Sequence, residues 1–207
     1  MTRTTTRLTQ LATALVAGTL VLSACGDDTT AGHDSMGSSD TSASAESSAE
    51  ADFSDADVTF AAGMVPHHQS AIEMAQLAEG RAADPRVLDL AARIEAAQGP
   101  EIETLSGWLE QWGADGGTGM DHGGMDHGSD GMMSEQDMQA LMNATGADFD
   151  RMFLSQMIVH HTGAVEMAEA VLSSGRNTDA LAMAGAIRDS QSAEIAEMEQ
   201  LLAELGG

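Results

Sequence analysis

Residues 57 to 113 align without a gap to residues 150 to 206, an offset of 93, with roughly 17 of 57 positions identical. No other feature constrains the fold as much, because a duplicated unit of this length builds its core by closing on its own copy. The identities are clustered. One block sets Phe60, Met64, His67, His68, Ala71, Glu73, Met74 and Ala75 against Phe153, Met157, His160, His161, Ala164, Glu166, Met167 and Ala168. A second sets Ala91, Ile94, Gln98, Glu101, Ile102 and Leu109 against Ala184, Ile187, Gln191, Glu194, Ile195 and Leu202.

Each copy carries the period of two helices. At about 100° per residue, Phe60, Met64, Ala71, Ala75 and Ala78 share a stripe, with His67, His68 and Met74 along its margins and Glu73 on the opposite side. After a turn at Asp84-Pro85, Val87, Ala91, Ile94, Gln98, Ile102, Leu105 and Leu109 make a second stripe, with Glu101, Trp108 and Trp112 close to it. Pro100 is expected to kink or split this helix, while its counterpart Ala193 lets the equivalent helix run on. Pro66 raises the same question before His67, where Val159 is the unbroken counterpart. One amphipathic hairpin leaves its stripe exposed, whereas two cover each other. The expected fold is therefore all-α, a four-helix bundle of two duplicated hairpins related by a pseudo-two-fold axis. Ser134 followed by Asp137 reads as the N-cap of a short extra helix at 135 to 144, ended by Gly146.

Residues 1 to 24 stand apart from this pattern. Arg3 and Arg7 precede a short apolar stretch, Leu8 to Leu22, too brief and too diluted by Thr and Gly for a permanent span, which reads as a secretion signal. It ends Leu22-Ser23-Ala24-Cys25, similar to the bacterial lipobox, whose cysteine is lipidated and becomes the first mature residue. Cys25 is the sole cysteine of the chain, so no internal disulfide or CxxC site exists. Two or more acyl chains on Cys25 would hold the protein to the outer face of a membrane. Residues 26 to 52 are Ser/Ala/Asp/Gly-rich and lack the apolar groups to fold, so with Cys25 they read as a tether. The folded part is then 53 to 207: repeat one at 57 to 113, a linker at 114 to 133, the short helix within 134 to 146, and repeat two at 150 to 206.

Charge excludes one large class of function. The 207-residue chain has 8 basic residues, all Arg, against 33 Asp+Glu, a formal charge of −25. Loss of the leader leaves six Arg and a formal −27. Such a chain does not bind nucleic acid through phosphate contacts.

The chemistry is carried by sulfur and imidazole, 15 Met and 7 His. Met64-x-x-His67-His68 with Met74 recurs as Met157-x-x-His160-His161 with Met167. A Met and a His three apart lie on adjoining turns of one helix face, so thioether and imidazole can converge on one ion. Carboxylate bundles that hold iron use Glu-x-x-His in this geometry, and that motif is missing from this chain. Thioether donors shift preference to a soft ion, above all Cu(I). Gln98, Glu101, Gln191 and Glu194 are placed to orient the imidazole N–H groups from outside the ligand set. Met on an apolar stripe also serves as core filler, and a marginal His also serves as a hydrogen-bonded packing residue; duplication of the whole constellation favours the ligand reading. Glu73 and Glu166 read as solvated surface.

The linker holds a second constellation, Met120-Asp-His122 and Met125-Asp-His127, in Gly-rich chain with no core to fill. Alternating thioether and imidazole on flexible backbone can wrap Cu(I) or Ag(I). Met36 with His33 in the tether is a weaker echo.

At Met64-Val-Pro-His-His-Gln-Ser-Ala-Ile-Glu-Met-Ala75 and at Phe149 to Ala168, with its Met-Ile-Val-His-His-Thr-Gly-Ala-Val-Glu-Met-Ala core, the sequence resembles the DUF305 family over about 57 to 205. The resemblance implies a ferritin-like four-helix arrangement and an extracytoplasmic location, and it implies copper for some members. The family positions that match are His67, His68 and Met74, then His160, His161 and Met167. Val159 departs from the pattern, which commonly has Pro before the His pair.

The expected function is a lipid-anchored, extracytoplasmic protein that sequesters or buffers copper, with the metal ion and the membrane as its partners. The alternatives are a ferritin-like metal-dependent oxidase and a non-catalytic module of the cell envelope whose His pairs satisfy buried hydrogen bonds.

Overall fold

The structure, a computed structural model, describes residues 52–114 and 131–206. The leader, Cys25, the tether through residue 51, and the linker residues Met120, His122, Met125 and His127 lie outside the described residues. Five helices follow in order: α1 (Asp55–Gln76), α2 (Pro85–Gln111), α3 (Glu135–Asn143), α4 (Ala147–Ser174) and α5 (Thr178–Glu204). No strand is present among the described residues; a single bridge joins Ala82 to Gly146. α1 pairs with α2, α4 with α5, and the two hairpins meet through α1 and α4.

The starts of the helices follow local chemistry. The Asp84 carboxylate accepts from the Arg86 N–H at 2.8 Å with Pro85 in the first turn, the Asn177 side chain accepts from Ala180 N–H at 2.9 Å, and the Ser134 hydroxyl accepts from Asp137 N–H at 3.1 Å. Each pairs an amide that has no intrahelical partner. α3 therefore starts as expected but stops at Asn143, and Gly146 does not end it. Gly146 is instead the N-cap of α4, at φ +65°, with its N–H donating to the Arg81 carbonyl at 2.7 Å.

Pro100 and Pro66 break neither helix: both lie inside uninterrupted α-helix. Each ring removes the bond that its N–H would give to the carbonyl four residues earlier. Those carbonyls belong to Ala96 and Ala62, both at exposed positions, where solvent can supply the missing donor.

Two apolar clusters fill the bundle, one in each half. The first combines the second half of α1 (Ala71, Met74, Ala75), the first half of α2 (Val87, Leu90, Ile94), Leu141 of α3, the first half of α4 (Phe149, Phe153, Met157) and the end of α5 (Met198, Leu201). The second combines Phe60, Ala61 and Met64 of α1, Leu105 of α2, Ala164, Ala168 and Val171 of α4, and Ala184 and Ile187 of α5. The start of α1 thus packs with the end of α4, so the two His-bearing helices cross antiparallel. Ion pairs join α2 to α5 on the outside of the first half, from Arg86 to Glu204 and from Arg93 to Glu197 at 2.5 Å.

Candidate metal centre

Between the two apolar clusters lies a polar layer. His67, His68, His160 and His161 have 0–1 % of their surface exposed, and Gln98 and Gln191 have 3 %. The histidines are not marginal, as a one-sided stripe suggested. α1 and α4 each pack against two neighbours, so their buried arc is wider than a stripe facing one partner.

The duplication is exact in its hydrogen bonding. His68 Nε2 lies 2.7 Å from Glu101 Oε2, and His161 Nε2 lies 2.7 Å from Glu194 Oε2. An ionised carboxylate only accepts, so Nε2 carries the proton in both rings and, in the neutral ring, Nδ1 carries the lone pair. Both Nδ1 atoms are buried without a hydrogen-bond partner. Glu101 and Glu194 keep 25 % and 17 % of their side-chain surface in water, so their charge stays partly solvated while their oxygens fix the rings. This is the carboxylate–imidazole arrangement that orients metal-binding histidines.

The other two imidazoles meet across the pseudo-two-fold axis. The His67 and His160 rings have centroids 3.8 Å apart and planes tilted by 44°. Neither ring nitrogen of His160 has a partner of normal hydrogen-bond geometry. Burial, followed by the nearby imidazoles of His67, His161 and His68, pushes the His160 pKa down to about 2, so this ring is neutral at any physiological pH. Gln98 Oε1 and Gln191 Oε1 are likewise buried without partners. An unsatisfied buried polar atom costs about 1–3 kcal/mol, and a domain has only about 5–15 kcal/mol to lose. A layer with this many costs a large share of that stability unless something pairs with it.

The donors fit a soft monovalent ion. The His160 imidazole presents a lone pair rather than a charge, and among the described residues no carboxylate is fully buried in the layer; Asp57 and Asp150, the buried acids, are engaged elsewhere. Among the described residues no three His, Cys, Asp or Glu side chains converge closely enough to share one ion. Cu(I) and Ag(I) are content with few soft donors, and thioethers supply them. Met64 and Met157 are fully buried, one turn from His67 and His160. The remaining pair is exchanged between repeats: Met74 lies in the cluster of Met157, and Met167 packs on the cluster of Met64. Antiparallel crossing places the Met of one repeat beside that of the other.

Asp57 and Asp150 were not singled out by the sequence patterns, although they open the aligned repeats. Both are buried. Asp57 accepts from the Arg176 and Asn177 amides at 2.9 and 3.2 Å, and Asp150 accepts from the Ala83 and Asp84 amides at 3.0 and 2.9 Å. Each therefore fastens its helix to the inter-helix turn of the opposite hairpin and so holds the antiparallel crossing that forms the layer. Their identity at the first aligned position is the signal that could have found them. Glu73 and Glu166 are exposed, as expected.

A profile of the DUF305 family, a domain of unknown function, matches residues 57–202. No curated protein matches the chain. Among solved structures, a DUF305 protein from Streptomyces coelicolor is 32% identical, with a TM-score of 0.66 over 73% of this chain and 93% of its own. A DUF305 fragment from Deinococcus radiodurans is 28% identical, with a TM-score of 0.65 over 73% of this chain and 97% of its own. CopM in its Cu(I)-bound form is 34% identical, with a TM-score of 0.61 over 73% of this chain and 98% of its own. CopM has also been solved with Cu(II) and with silver bound.

Proposed function

The chain belongs to the DUF305 family, and from that premise we propose that it binds Cu(I) in the histidine layer and sequesters or buffers copper outside the cytoplasm, anchored to the membrane through Cys25. The observation that carries the reading is the set of buried polar atoms without a hydrogen-bond partner of normal geometry, His68 Nδ1, His161 Nδ1, both ring nitrogens of His160, and Gln98 and Gln191 Oε1. An ion in the layer recovers part of their desolvation cost. His67, His68, His160 and His161 are the imidazole donors; Met64, Met74, Met157 and Met167 are the thioether donors; Glu101 and Glu194 orient the rings, with Gln98 and Gln191 beside them. Met120, His122, Met125 and His127 of the linker are a second, weaker set that captures ions and raises their concentration near the bundle. CopM, bound to Cu(I) and to silver in a similar fold, supports the choice of ion. The Leu22-Ser-Ala-Cys25 pattern supports the location, and among the described residues no helix is long and apolar enough to cross a membrane.

The test is competition for Cu(I) against a chelating dye. Replacement of His67, His68, His160 and His161 together is expected to abolish tight binding, and replacement of the four linker residues to remove only a weaker phase. Unchanged tight affinity in the first variant would overturn the reading.

A further inference from the structure

The symmetry between the repeats is broken around the methionines. Met64 and Met157 are equivalent and both fully buried. Their neighbours are not alike. Met74 and Leu90 have no exposed surface, whereas their counterparts Met167 and Met183 are partly exposed and pack on the cluster that contains Met64. Gly63 precedes Met64, and a Cβ there would lie 3.5 Å from Met167 Sδ; the missing side chain leaves that thioether room against α1. The equivalent residue of the second repeat is Gln156, whose Nε2 donates to the Asp137 carbonyl of α3 at 3.2 Å. The half that contains Met74 and Met157 is further covered by Leu141 of α3 and tied across α2 and α5 by the Arg86–Glu204 and Arg93–Glu197 pairs. Arg86 and Arg93 correspond to Asp179 and Ala186 in the second repeat, so those links have no equivalent at the other end.

We propose that soft ions reach and leave the histidine layer through one port, at the end of the bundle near Trp108, passing from the thioether of Met183 to that of Met167 and then to Met64. This rests on the ion-binding reading above. Met183 is a transfer residue with no part in the final ligand set. A soft ion crossing an apolar cluster sheds its water, and a series of polarisable sulfur atoms offers replacement ligands at each stage. The opposite half has thioethers at its surface too, on Met138 and Met152, but the next sulfur inward, on Met74, is sealed.

The experiment follows silver(I) uptake by the full chain in stopped flow, read by the fluorescence of Trp108 and Trp112, and silver release to a competing chelator. Equilibrium affinity is measured on the same samples. Met183→Leu preserves volume and apolarity, and Gly63→Gln installs the residue of the second repeat while improving helix propensity. Both are expected to slow uptake and release by about tenfold with affinity retained in Met183→Leu. Met138→Leu with Met152→Leu is expected to leave the rates unchanged. Parental rates in both port variants, or equal slowing by the Met138/Met152 variant, overturn the port and leave the binding reading standing. Absence of silver uptake by the parent overturns both.

Discussion

His67 and His160, equivalent residues of the two repeats, face each other with ring centroids 3.8 Å apart at the centre of the bundle. The contact joins the hairpins at the point where apolar packing is interrupted, and His160 has neither ring nitrogen satisfied there. If His160 is a ligand as proposed, stability and function are opposed at this residue. His160→Phe removes two unsatisfied buried atoms and keeps a ring. Without metal, its midpoint of thermal unfolding is expected to equal or exceed that of the parent by about 3 °C. Silver at about 100 times its dissociation constant is expected to stabilise the parent by about 2.7 kcal/mol, and this increment is expected to be lost in the variant. Calorimetry with and without silver checks both.

The same residue sets a pH dependence. His160 titrates at about 2 in the folded protein and near 6.5 when unfolded. Between these values the unfolded chain binds the extra proton, so stability falls as pH falls. The metal-free protein is expected to hold its His160 contribution above about pH 7 and to lose about 1.4 kcal/mol per pH unit well below 6.5 from this group. Urea unfolding at pH 7, 6 and 5 is expected to show a shallower dependence in His160→Phe.

Glu101 and Glu194 hold the His68 and His161 rings, and in the proposed site they act through them. Glu101→Ala or Glu194→Ala is expected to weaken Cu(I) binding by about 10–100-fold, as loss of an orienting carboxylate does elsewhere. Glu→Gln, which still offers an acceptor oxygen at the same place, is expected to lose less. Dye competition measures the order parent, Gln, Ala; an Ala variant equal to the parent would show that the carboxylates do not position the ligands.

Asp57 and Asp150 are expected to be stability residues. Asp57→Ala leaves the Arg176 and Asn177 amides without their acceptor and is expected to cost about 2–3 kcal/mol in urea unfolding; Asp150→Ala is expected to match it at the other turn. Burial works to raise the Asp57 pKa, but bonds from Arg176, Ser54 and Asn177 outweigh it and hold the carboxyl below its ordinary value. Its contribution is therefore present above about pH 4 and lost as the pH falls through the folded value. Gly175 belongs to this contact, since a Cβ there would come 2.5 Å from Asp57 Oδ1.

Much of the site was legible because duplication reports twice on the same positions. The helix period places Met64, His67, Gln98 and Glu101 on inward or edge positions; which ring each carboxylate meets, His68 with Glu101 and His161 with Glu194, is set by the packing of α1 on α2 and of α4 on α5. What local reading leaves open is of one kind. The sequence raises a kink or a split at Pro100 and Pro66, and the helices run through both without a split, because tertiary packing and the exposure of Ala96 and Ala62 decide whether a missing bond can be borne. The histidines were placed at the stripe margin because a helical wheel assumes one facing partner, and α1 has two. Asp57 and Asp150 were overlooked because a first-turn acid has the same local signature whether it faces water or a distant turn.

The sequence by itself determined the helices, the pairing of repeats and the DUF305 membership, since each follows from residue type and spacing along one chain. The tertiary structure alone decided that α1 and α4 cross antiparallel, that His67 meets His160, and that the Met74 and Met167 positions exchange between repeats. It also decided that Met74 is fully buried while its counterpart Met167 keeps part of its surface exposed. Those are relations between distant segments, and burial, which fixes which polar atoms lose their water, exists only once the segments are packed.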